Sequence, residues 1–429
     1  GDPGGDGVLS RDEITVEGDP GAPPAAITSL VTAFRRGAEL IPVADIQTLR
    51  RTVKLCDADG REVARIDDDD VTVRAGEEVT ARFREIEVEL TGPSVPSRLL
   101  DDVVSRLRRA GAGKPDPTPK VVRALGPGAT APPDLAPVEL GHDPSAADVL
   151  RAGLVAAVNR IVEHDPVIRL DRDPEGVHQA RVGLRRLRSD LRTYRPLVDR
   201  DWSEPLRDEL RWLADELGAV RDRDVMLDRM RDGIHHLGKA DAEHADWLVA
   251  QLERERAEAQ RALLVVLDAS RYAELLDRLV DAARHPHLLA GASAPAGTVL
   301  PGLAARPWRK LRKAVKALGD HPGDDALHQV RIRVKRARYA ADVAVPVVGD
   351  RASRYAKKLA ALQDVLGDLH DAVVAEARLR EAAAGARRAQ ALVVGQLIAQ
   401  QRASAETSRA RWPKKWRRVD RKKVTGWLS

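Results

Sequence analysis

The chain has 429 residues and a formal net charge of +5, with a sequence pI of about 9.3. Residues 1–100 hold 12 Lys and Arg against 20 Asp and Glu, a net of −8, so the remainder carries +13 and predicts an anionic partner. The single cysteine, Cys56, excludes a disulfide framework and any multi-cysteine metal site. The sequence has no apolar run of about 18 residues that would span a membrane.

The first hundred residues have the alternating pattern of β-strands around one helix. Strands are predicted over 11–16, 49–57, 62–75 and 77–90. Asp57–Gly60 has the composition of a hairpin turn, 27–37 that of a helix ended by Gly37, and 97–111 that of an amphipathic helix. The Pro-, Gly- and Ala-rich segment 112–142 predicts a linker to a mostly helical C-terminal part.

Two of the predicted strands carry charged residues at alternate positions. Glu85, Glu87 and Glu89 face one way on the last strand, and Arg50 and Lys54 alternate on the strand 49–57. A solvent-exposed face explains this pattern. The alternative is the lumen of a β-barrel, in which carboxylates bind Mg²⁺ or Mn²⁺ and basic residues hold phosphate oxygens.

Two pairs of segments repeat in the C-terminal part. They are VHQARVGLRRLRSDL (177–191) with LHQVRIRVKRARYAA (327–341), and LADELGAVRDRDV (213–225) with LQDVLGDLHDAVV (362–374). The offsets of 150 and 149 residues predict two copies of one helical unit, over about 143–285 and 300–429, with a loop at 285–307 between them. Asp173 and Pro174 predict the start of the first repeated helix, as its N-cap and first helical residue.

Each repeated helix separates its basic residues from its apolar ones. At about 100° per residue, the basic residues of each helix share one face. These basic faces consist of His178, Arg181, Arg185, Arg188 and Arg192 on the first helix and of His328, Arg331, Lys335 and Arg338 on the second. The adjacent apolar stripe of the first helix consists of Val177, Ala180, Leu184, Leu187 and Leu191. Like charges one turn apart are destabilising, so we expect an anionic partner to neutralise them; the alternative is a solvated surface helix.

Further basic residues surround the second copy. They are Arg309, Lys313 and Lys316 on one face of 307–318, and Lys357 and Lys358. We expect them to extend the same anion-binding surface. In 409–427, Trp412, Trp416 and Trp427 are interspersed with basic residues, which favours either stacking on nucleic-acid bases or a final helix docked on the bundle.

The repeated HxxRxxxRRxR and LGxxxD elements resemble those of the CHAD domain, a histidine-containing α-helical domain that binds inorganic polyphosphate. The resemblance covers about 143–429 and implies two helical bundles related by pseudo-two-fold symmetry, with the basic helices lining a central groove or pore. The motif positions carry over as His178, Arg181, Arg185, Arg186 and Arg188 in the first copy and as His328, Arg331, Lys335, Arg336 and Arg338 in the second. Asp222 and Asp371 are expected to cap helices or to hold an arginine.

The predicted strands resemble the later part of a CYTH domain, the triphosphate tunnel metalloenzyme fold. The segments that carry the resemblance are RDEITV, LVTAFRRGAELIPVA, RRTVKLCDADGREVARIDDD and FREIEVEL. The resemblance implies Glu85, Glu87 and Glu89 as metal-side carboxylates and Arg50 and Lys54 as phosphate contacts, with Mg²⁺ or Mn²⁺ as cofactor. The ExExK strand of that family is absent from the sequence, so we expect a truncated barrel without triphosphatase activity in the chain as given.

The sequence therefore predicts an α+β protein. Its parts are a partial CYTH-like antiparallel β-barrel over 1–111, a linker over 112–142, and a CHAD-like all-α double helical bundle with an internal pseudo-two-fold repeat over 143–429. The predicted function is binding of inorganic polyphosphate on the basic helix faces, without a cofactor. A metal-dependent triphosphatase is the alternative, and nucleic-acid binding is the second alternative. We expect a cytoplasmic protein, associated with polyphosphate granules and not with a membrane; the oligomeric state is left open.

Overall fold

The computed structural model of the chain describes residues 14–19, 21–92, 95–131 and 133–428. These residues form two compact units. The β unit comprises 14–17 and 38–133, and the helical unit comprises 18–37 and 134–428. The protein is α+β and mostly helical, with one small antiparallel sheet.

The β unit is built on a three-stranded antiparallel sheet in the order β1 (Asp45–Cys56), β2 (Glu62–Ala75) and β3 (Glu78–Leu90). Gly60, at a φ of 79°, lies in the turn between β1 and β2, where the Asp57 carboxylate accepts a hydrogen bond from the Asp59 amide. The predicted hairpin turn is thus confirmed. The sheet is open within the described residues, and a barrel is not confirmed.

The two faces of this sheet differ in their surroundings. One face holds Asp67, Asp69, Val71 and Val73 of β2, all of them buried. The opposite face leaves Leu49 61% exposed. Glu85 and Glu87 of β3 lie on the covered face, directly opposite the buried Asp69 and Asp67 of β2. The buried side of this sheet therefore combines the apolar Val71 and Val73 with charged pairs, and some apolar residues, such as Leu49, lie on the exposed side.

Two segments of the β unit differ from the sequence-based expectation. Residues 14–16 of the predicted strand 11–16 lie outside any strand, and 11–13 lie outside the described residues. The segment 112–142, predicted as a linker, contains the helix α4 (Lys120–Leu125), which follows α3 (Arg98–Arg109). Pairing of the α4 cations with carboxylates of the sheet explains why this Pro-rich segment is ordered.

The helical unit contains the remaining helices. They are α1 (Ala25–Leu30), α2 (Thr32–Arg35), α5 (Ala146–Leu170), α6 (Glu175–Thr193), α7 (Arg200–His235), α8 (Lys239–Ala242), α9 (Asp246–Asp268), α10 (Ser270–Arg284), α11 (Ala296–Lys316), α12 (Asp324–Val348), α13 (Asp350–Ala383), α14 (Arg388–Val419) and α15 (Lys422–Thr425). The predicted helix 27–37 corresponds to α1 and α2, which pack on α5 as part of this unit. In the described residues no helix is long and apolar enough to cross a membrane.

Two helix starts in this unit were predicted incorrectly. Pro174 is the N-cap of α6, and the Asp173 carboxylate accepts a hydrogen bond from the Glu175 amide at 2.8 Å, so the start is one residue later than predicted. The predicted loop 285–307 ends early, because α11 begins at Ala296. The apolar face of α11 is buried in the core, and this burial outweighs the Pro and Gly content that predicted a loop.

One large apolar core joins most helices of the unit. Leu184 on α6, Leu210 on α7 and Leu359 on α13 are all fully buried in it. The predicted apolar stripe of α6 is buried, as expected. Trp412 and Trp427 lie in this core as well, so the tryptophans of the C-terminal segment dock on the bundle.

Candidate functional site

The two repeated basic helices, α6 and α12, pack against each other. Basic residues from both helices meet at this contact. We call Arg181, Arg185, Arg331 and Lys335 the central cluster. Burial, together with the nearby charges of Arg331 and Arg185, lowers the pKa of Lys335 to about 8. Cations of the two helices therefore lie close enough to repel one another.

Few acidic groups compensate the central cluster. Asp222 lies 3.7 Å from a terminal nitrogen of Arg181, and Asp371 lies 4.0 Å from a terminal nitrogen of Arg331. These contacts are long, although they agree with the expectation that both aspartates hold an arginine. Burial lowers the pKa of Arg181 despite its aspartate, so an added anion would be favoured beside it.

The central cluster also has unused hydrogen-bond donors. The Nε atoms of Arg185 and Arg331 are buried and have no hydrogen-bond partner among the described residues. A buried donor without a partner costs about 1–3 kcal/mol, and buried polar groups in folded proteins are nearly always satisfied. These donors are thus suited to an anion that carries several oxygens.

The glycine of the LGxxxD element makes room for this cluster. A Cβ atom at Gly218 of α7 would lie 2.5 Å from a terminal nitrogen of Arg181. At the repeated position, Gly367 of α13, it would lie 3.9 Å from the Nε of Arg331. In the first copy the motif glycine is therefore needed for the close approach of Arg181, whereas in the second copy a Cβ at Gly367 would fit beside Arg331 in ordinary van der Waals contact.

A second group of cations continues the basic surface along α6. It consists of Arg188, Arg192, Arg207 and Arg336. Burial, together with the charges of Arg336 and Arg207, lowers the pKa of Arg192 to about 10. Arg207 belongs to α7 and was not predicted from the sequence, since it lies outside both repeated motifs. Its own ion pair is with Glu204.

Arg186 and Arg338 have a different environment from the other motif residues. Arg186 donates to the buried carboxylate of Asp190 at 2.9 Å. Burial raises the pKa of Asp190 to about 6, and Arg186 opposes that shift. Asp342 lies 3.9 Å from Arg186 and 4.0 Å from Arg338. These two arginines thus contribute to packing of α6 on α12, and their predicted contact with polyphosphate stays a prediction.

The two motif histidines are half-buried and each has a basic neighbour. Burial lowers the pKa of His178, and the charge of Arg221 on α7 adds to this effect. In the second copy the Nδ1 atoms of His328 and His370 lie 3.1 Å apart. Arg221 and His370 stand three residues after the motif glycine in their copies. Neither residue was predicted from the sequence, although a basic residue at the same place in two copies was a usable signal.

The other predicted basic residues are not joined to the central cluster. Arg309, Lys313 and Lys316 lie on the exposed face of α11, and Lys357 is exposed on α13, where Lys358 is half-buried. Within the described part of the chain, no hydrogen bond or ion pair connects them to the cluster. Their role in binding therefore stays a prediction.

The β unit contains a second charged site, in which opposite charges are paired. Ligand atoms of Asp69, Glu85 and Glu87 lie within 4.8 Å of one another. The Lys120 ammonium lies 2.6, 2.9 and 3.1 Å from these three carboxylates. Arg50 donates two hydrogen bonds to Asp69, at 2.8 and 2.7 Å, and lowers the pKa of that carboxyl to about 2, with Lys120 contributing.

The sequence had grouped these residues differently. Glu89 was predicted beside Glu85 and Glu87, but it lies opposite Arg65 and outside the carboxylate group, in which Asp69 takes its place. Lys54, predicted as a phosphate contact, forms an ion pair with Glu62 at 3.0 Å. A divalent cation at the carboxylates would have to displace Lys120, so the predicted metal role stays a prediction.

The helical fold, the two repeated motifs and the cationic contact between α6 and α12 define the class of protein. The CHAD domain model matches residues 152–380, and the chain belongs to the CHAD domain family. Among solved structures, the chain is similar to PptA from Streptomyces chartreusis, with a TM-score of 0.54 and 26% identity over 64% of this chain and 99% of that one. It is also similar to the CHAD domain from the plant Ricinus communis, with a TM-score of 0.50 and 26% identity over 70% of this chain and 96% of that one.

Two curated proteins of Mycobacterium tuberculosis are similar over nearly the whole chain. Uncharacterized protein Rv2226 of strain H37Rv is 33% identical over 434 residues, which cover 96% of this chain and 81% of the relative. Uncharacterized protein MT2285 of strain CDC 1551 is 32% identical with the same coverage. The similarity to these two relatives thus extends beyond the family match.

Proposed function

We propose that this protein binds inorganic polyphosphate at the contact between α6 and α12. The observation that carries the proposal is the central cluster, in which Arg181, Arg185, Arg331 and Lys335 meet with unused Nε donors and few acidic partners. Membership of the CHAD family, which is linked to polyphosphate binding, supports it.

The chemistry of polyphosphate fits such a cluster. The polymer has oxygens and negative charge at every unit but no bases, so a binder needs only positioned cations. Arginine supplies planar forks of donors for phosphate oxygens, and lysine supplies a compact charge. Cations from two helices, aligned along α6, suit a linear polyanion better than a single small anion. We further propose that the two copies are related by pseudo-two-fold symmetry and that the polymer lies in a groove or pore between them.

Nucleic acid is a weaker fit for the same surface. Binding of single strands usually combines cations with exposed aromatic platforms. Trp412 and Trp427 are buried, and Trp416 packs on Trp308 with ring centroids 5.5 Å apart. The tryptophans of the C-terminal segment are therefore occupied by the core, which favours polyphosphate over nucleic acid.

A triphosphatase in the β unit is the second candidate function. It is favoured by the grouping of Asp69, Glu85 and Glu87, whose oxygens are of the kind that Mg²⁺ or Mn²⁺ prefers. Lys120 and Arg50 already neutralise these carboxylates. We therefore expect no metal-dependent phosphate release from tripolyphosphate by this chain; release that Glu85→Gln abolishes would support the enzyme instead.

In a cell, the proposed site would place the protein on cytoplasmic polyphosphate granules. A fluorescent fusion of the full chain should then co-localise with stained granules. A variant of the central cluster should be diffuse at the same expression level.

The proposal is tested by calorimetric titration of the full chain with polyphosphate at about 50 and about 200 mM salt. The test variant changes Arg181, Arg185, Arg331 and Lys335 to Ala. A matched control with the same loss of charge changes Arg172, Lys239, Arg254 and Arg261 to Ala, all exposed and outside the clusters. We expect tight, salt-sensitive binding by the chain and the control.

The test variant should lose about a hundredfold or more in affinity. The slope of log K against log salt should fall by about 3, because each lost phosphate contact removes about 0.7–0.9 of slope. Equal losses in the test and control variants would show that net charge alone drives binding and would contradict the proposed site.

A further inference from the structure

The two copies differ at one position beside the motif histidine. In the first copy this position holds Arg221, a permanent cation next to His178. In the second copy it holds His370, which contacts His328 with ring centroids 4.4 Å apart. One half of the site therefore has a fixed charge where the other half has a titratable pair.

The short distance between the two imidazoles fixes their protonation. A neutral imidazole has one N–H and one lone pair. At an Nδ1–Nδ1 distance of 3.1 Å, one ring of the pair must donate its Nδ1–H to the Nδ1 lone pair of the other. The donor ring then has a lone pair at its Nε2, and the acceptor ring has an N–H at its Nε2.

One added proton changes what the pair presents to a ligand. The proton binds the Nε2 lone pair of the donor ring and leaves the Nδ1 contact intact. Both Nε2 atoms then carry hydrogen, so the pair becomes a cation with two outward donors instead of one donor and one acceptor. A second proton would set two Nδ1–H groups against each other and break the contact. The pair is thus limited to a single proton.

The surroundings disfavour that proton until an anion is present. Arg331 and Lys335 face His370 from α12, and Asp371 is the acidic group on its own helix. Arg229 of α7 and Arg411 of α14 lie beside the neighbouring Asp368. Burial lowers the pKa of His370 below 6.5, and the charge of Arg331 acts in the same direction. An anion on the central cluster would offset these cations.

We propose that the His328–His370 pair is a phosphate-binding position that takes up one proton when polyphosphate binds. This inference rests on the proposed function and adds a binding residue, His370, to the site. The bound polyanion raises the pKa of the pair above its value in the ligand-free protein. Affinity therefore rises as pH falls between those two pKa values, by at most about tenfold per pH unit, and is constant above and below that range.

Two other groups titrate nearby and must be separated from the pair. Lys335, with a pKa of about 8, takes up its proton at higher pH. Terminal phosphates of the polymer titrate near about pH 6, so a long polymer with few ends is the probe. Variants are compared at one polymer length, so proton uptake by the polymer ends is the same in each and cancels from the difference between variants.

The test is calorimetry of the full chain with long-chain polyphosphate from about pH 5.5 to about pH 7.5, in buffers of different ionisation enthalpy that report proton uptake. His370→Arg gives the second copy the residue type of the first, and Arg221→His gives the first copy the residue type of the second. His244→Gln removes an exposed histidine elsewhere and is the control. We expect the unaltered protein and the His244→Gln control to take up as much as about one proton per site when polyphosphate binds. In His370→Arg the pair should contribute no proton, and Arg221→His should take up more than the unaltered protein. His370→Arg should also bind as tightly near pH 7.5 as the protein does near pH 5.5.

An unchanged proton uptake in His370→Arg would overturn the inference while leaving polyphosphate binding intact. Loss of binding at every pH in the unaltered protein would instead overturn the proposed function. Nitrogen NMR of the unaltered protein checks the pair without any substitution. It should show one Nδ1–H tautomer in the ligand-free state and two protonated Nε2 atoms in the complex near pH 6.5; identical spectra in both states would contradict the proposal.

Discussion

Lys120 in the β unit and Lys335 in the helical unit lie in opposite electrostatic environments. Lys120 contacts three carboxylates, and although burial opposes its charge, these hydrogen bonds raise its pKa. Lys335 is surrounded by arginines, and burial and repulsion together lower its pKa to about 8. One lysine completes an internal ion-pair network, and the other lies in a cluster that lacks its counterions.

Charge composition alone therefore does not identify a binding surface. The first hundred residues carry a net charge of −8, more per residue than the +13 of the other 329, yet the buried carboxylates of the sheet are paired within the unit. The helical cluster has unused donors at Arg185 and Arg331, which the proposed anionic ligand would use. The two sites differ in whether their charges are paired within the protein, and not in how many charges they contain.

The largest effect is expected from a charge reversal in the helical cluster. Lys335→Glu places a carboxylate among Arg181, Arg185 and Arg331, where it mimics the bound anion. Polyphosphate affinity should fall by about a hundredfold or more, because the added charge repels the polymer and occupies the arginines. The fold should become more stable by about 1 kcal/mol, since repulsion is relieved.

Titration calorimetry and thermal unfolding measure both quantities on the same sample. Lys239→Glu, at an exposed position, is the control and should change either quantity only slightly. A variant that binds weakly and is also destabilised would indicate that Lys335 is structural.

The next effect concerns the paired site of the β unit. Lys120→Met leaves Asp69, Glu85 and Glu87 close together with only Arg50 and Arg123 beside them. We expect the β unit to lose about 2–3 kcal/mol of stability, because unpaired buried charges are costly. Peptide-resolved hydrogen exchange should show faster exchange in β1–β3, with Lys114→Met as the control. Polyphosphate affinity should not change; a tenfold loss would show that the β unit takes part in binding.

A pH dependence follows from Asp69. Its folded pKa of about 2 lies below the unfolded value of 3.8, so its ionised form stabilises the folded state. This contribution, about 2.5 kcal/mol, is present above pH 3.8 and is lost as the pH falls through about 2. Asp69→Asn should therefore be destabilised at neutral pH and match the unaltered protein near pH 2. A difference that persists at pH 2 would point to lost packing instead.

The smallest effect is expected for the outer face of α11. Changing Arg309, Lys313 and Lys316 to Ala should weaken polyphosphate binding by only about two- to fivefold at moderate salt, because exposed charges are screened. A loss comparable to that of the central cluster would show that the binding surface extends along α11, as the sequence predicted.

The basic and apolar faces of the helices were predictable from the sequence, because helical periodicity and repetition act on neighbouring residues. The basic faces of α6 and α12 and the buried stripe of Leu184, Leu187 and Leu191 follow from a period of 3.6 residues. The resemblance to the CHAD family then indicated polyphosphate binding as the class of function. Neither source revealed that Arg186 binds Asp190, although the two residues lie one turn apart on α6 and this spacing was a usable signal; the burial of Asp190 depends on how the helices pack.

The β unit was less predictable, because its buried face is charged. Alternation placed Glu85, Glu87 and Glu89 on one face, but only the strand register brings Asp69 to Glu85. The cation that neutralises them, Lys120, lies in a Pro-rich segment that reads as a linker. Contacts between residues far apart in sequence, such as Lys120 with Asp69, leave no periodic signal.

One measurement tests the contrast between the two lysines directly. The full chain is acetylated with an N-hydroxysuccinimide ester near pH 8, with and without polyphosphate, and the reaction of each lysine is followed by mass spectrometry. Lys335, with a pKa of about 8, should react as readily as an exposed lysine and be strongly protected by the polymer. Lys120 should be unreactive in both states, and Lys114 should react equally in both. Labelling of Lys335 that polyphosphate leaves unchanged would contradict the account.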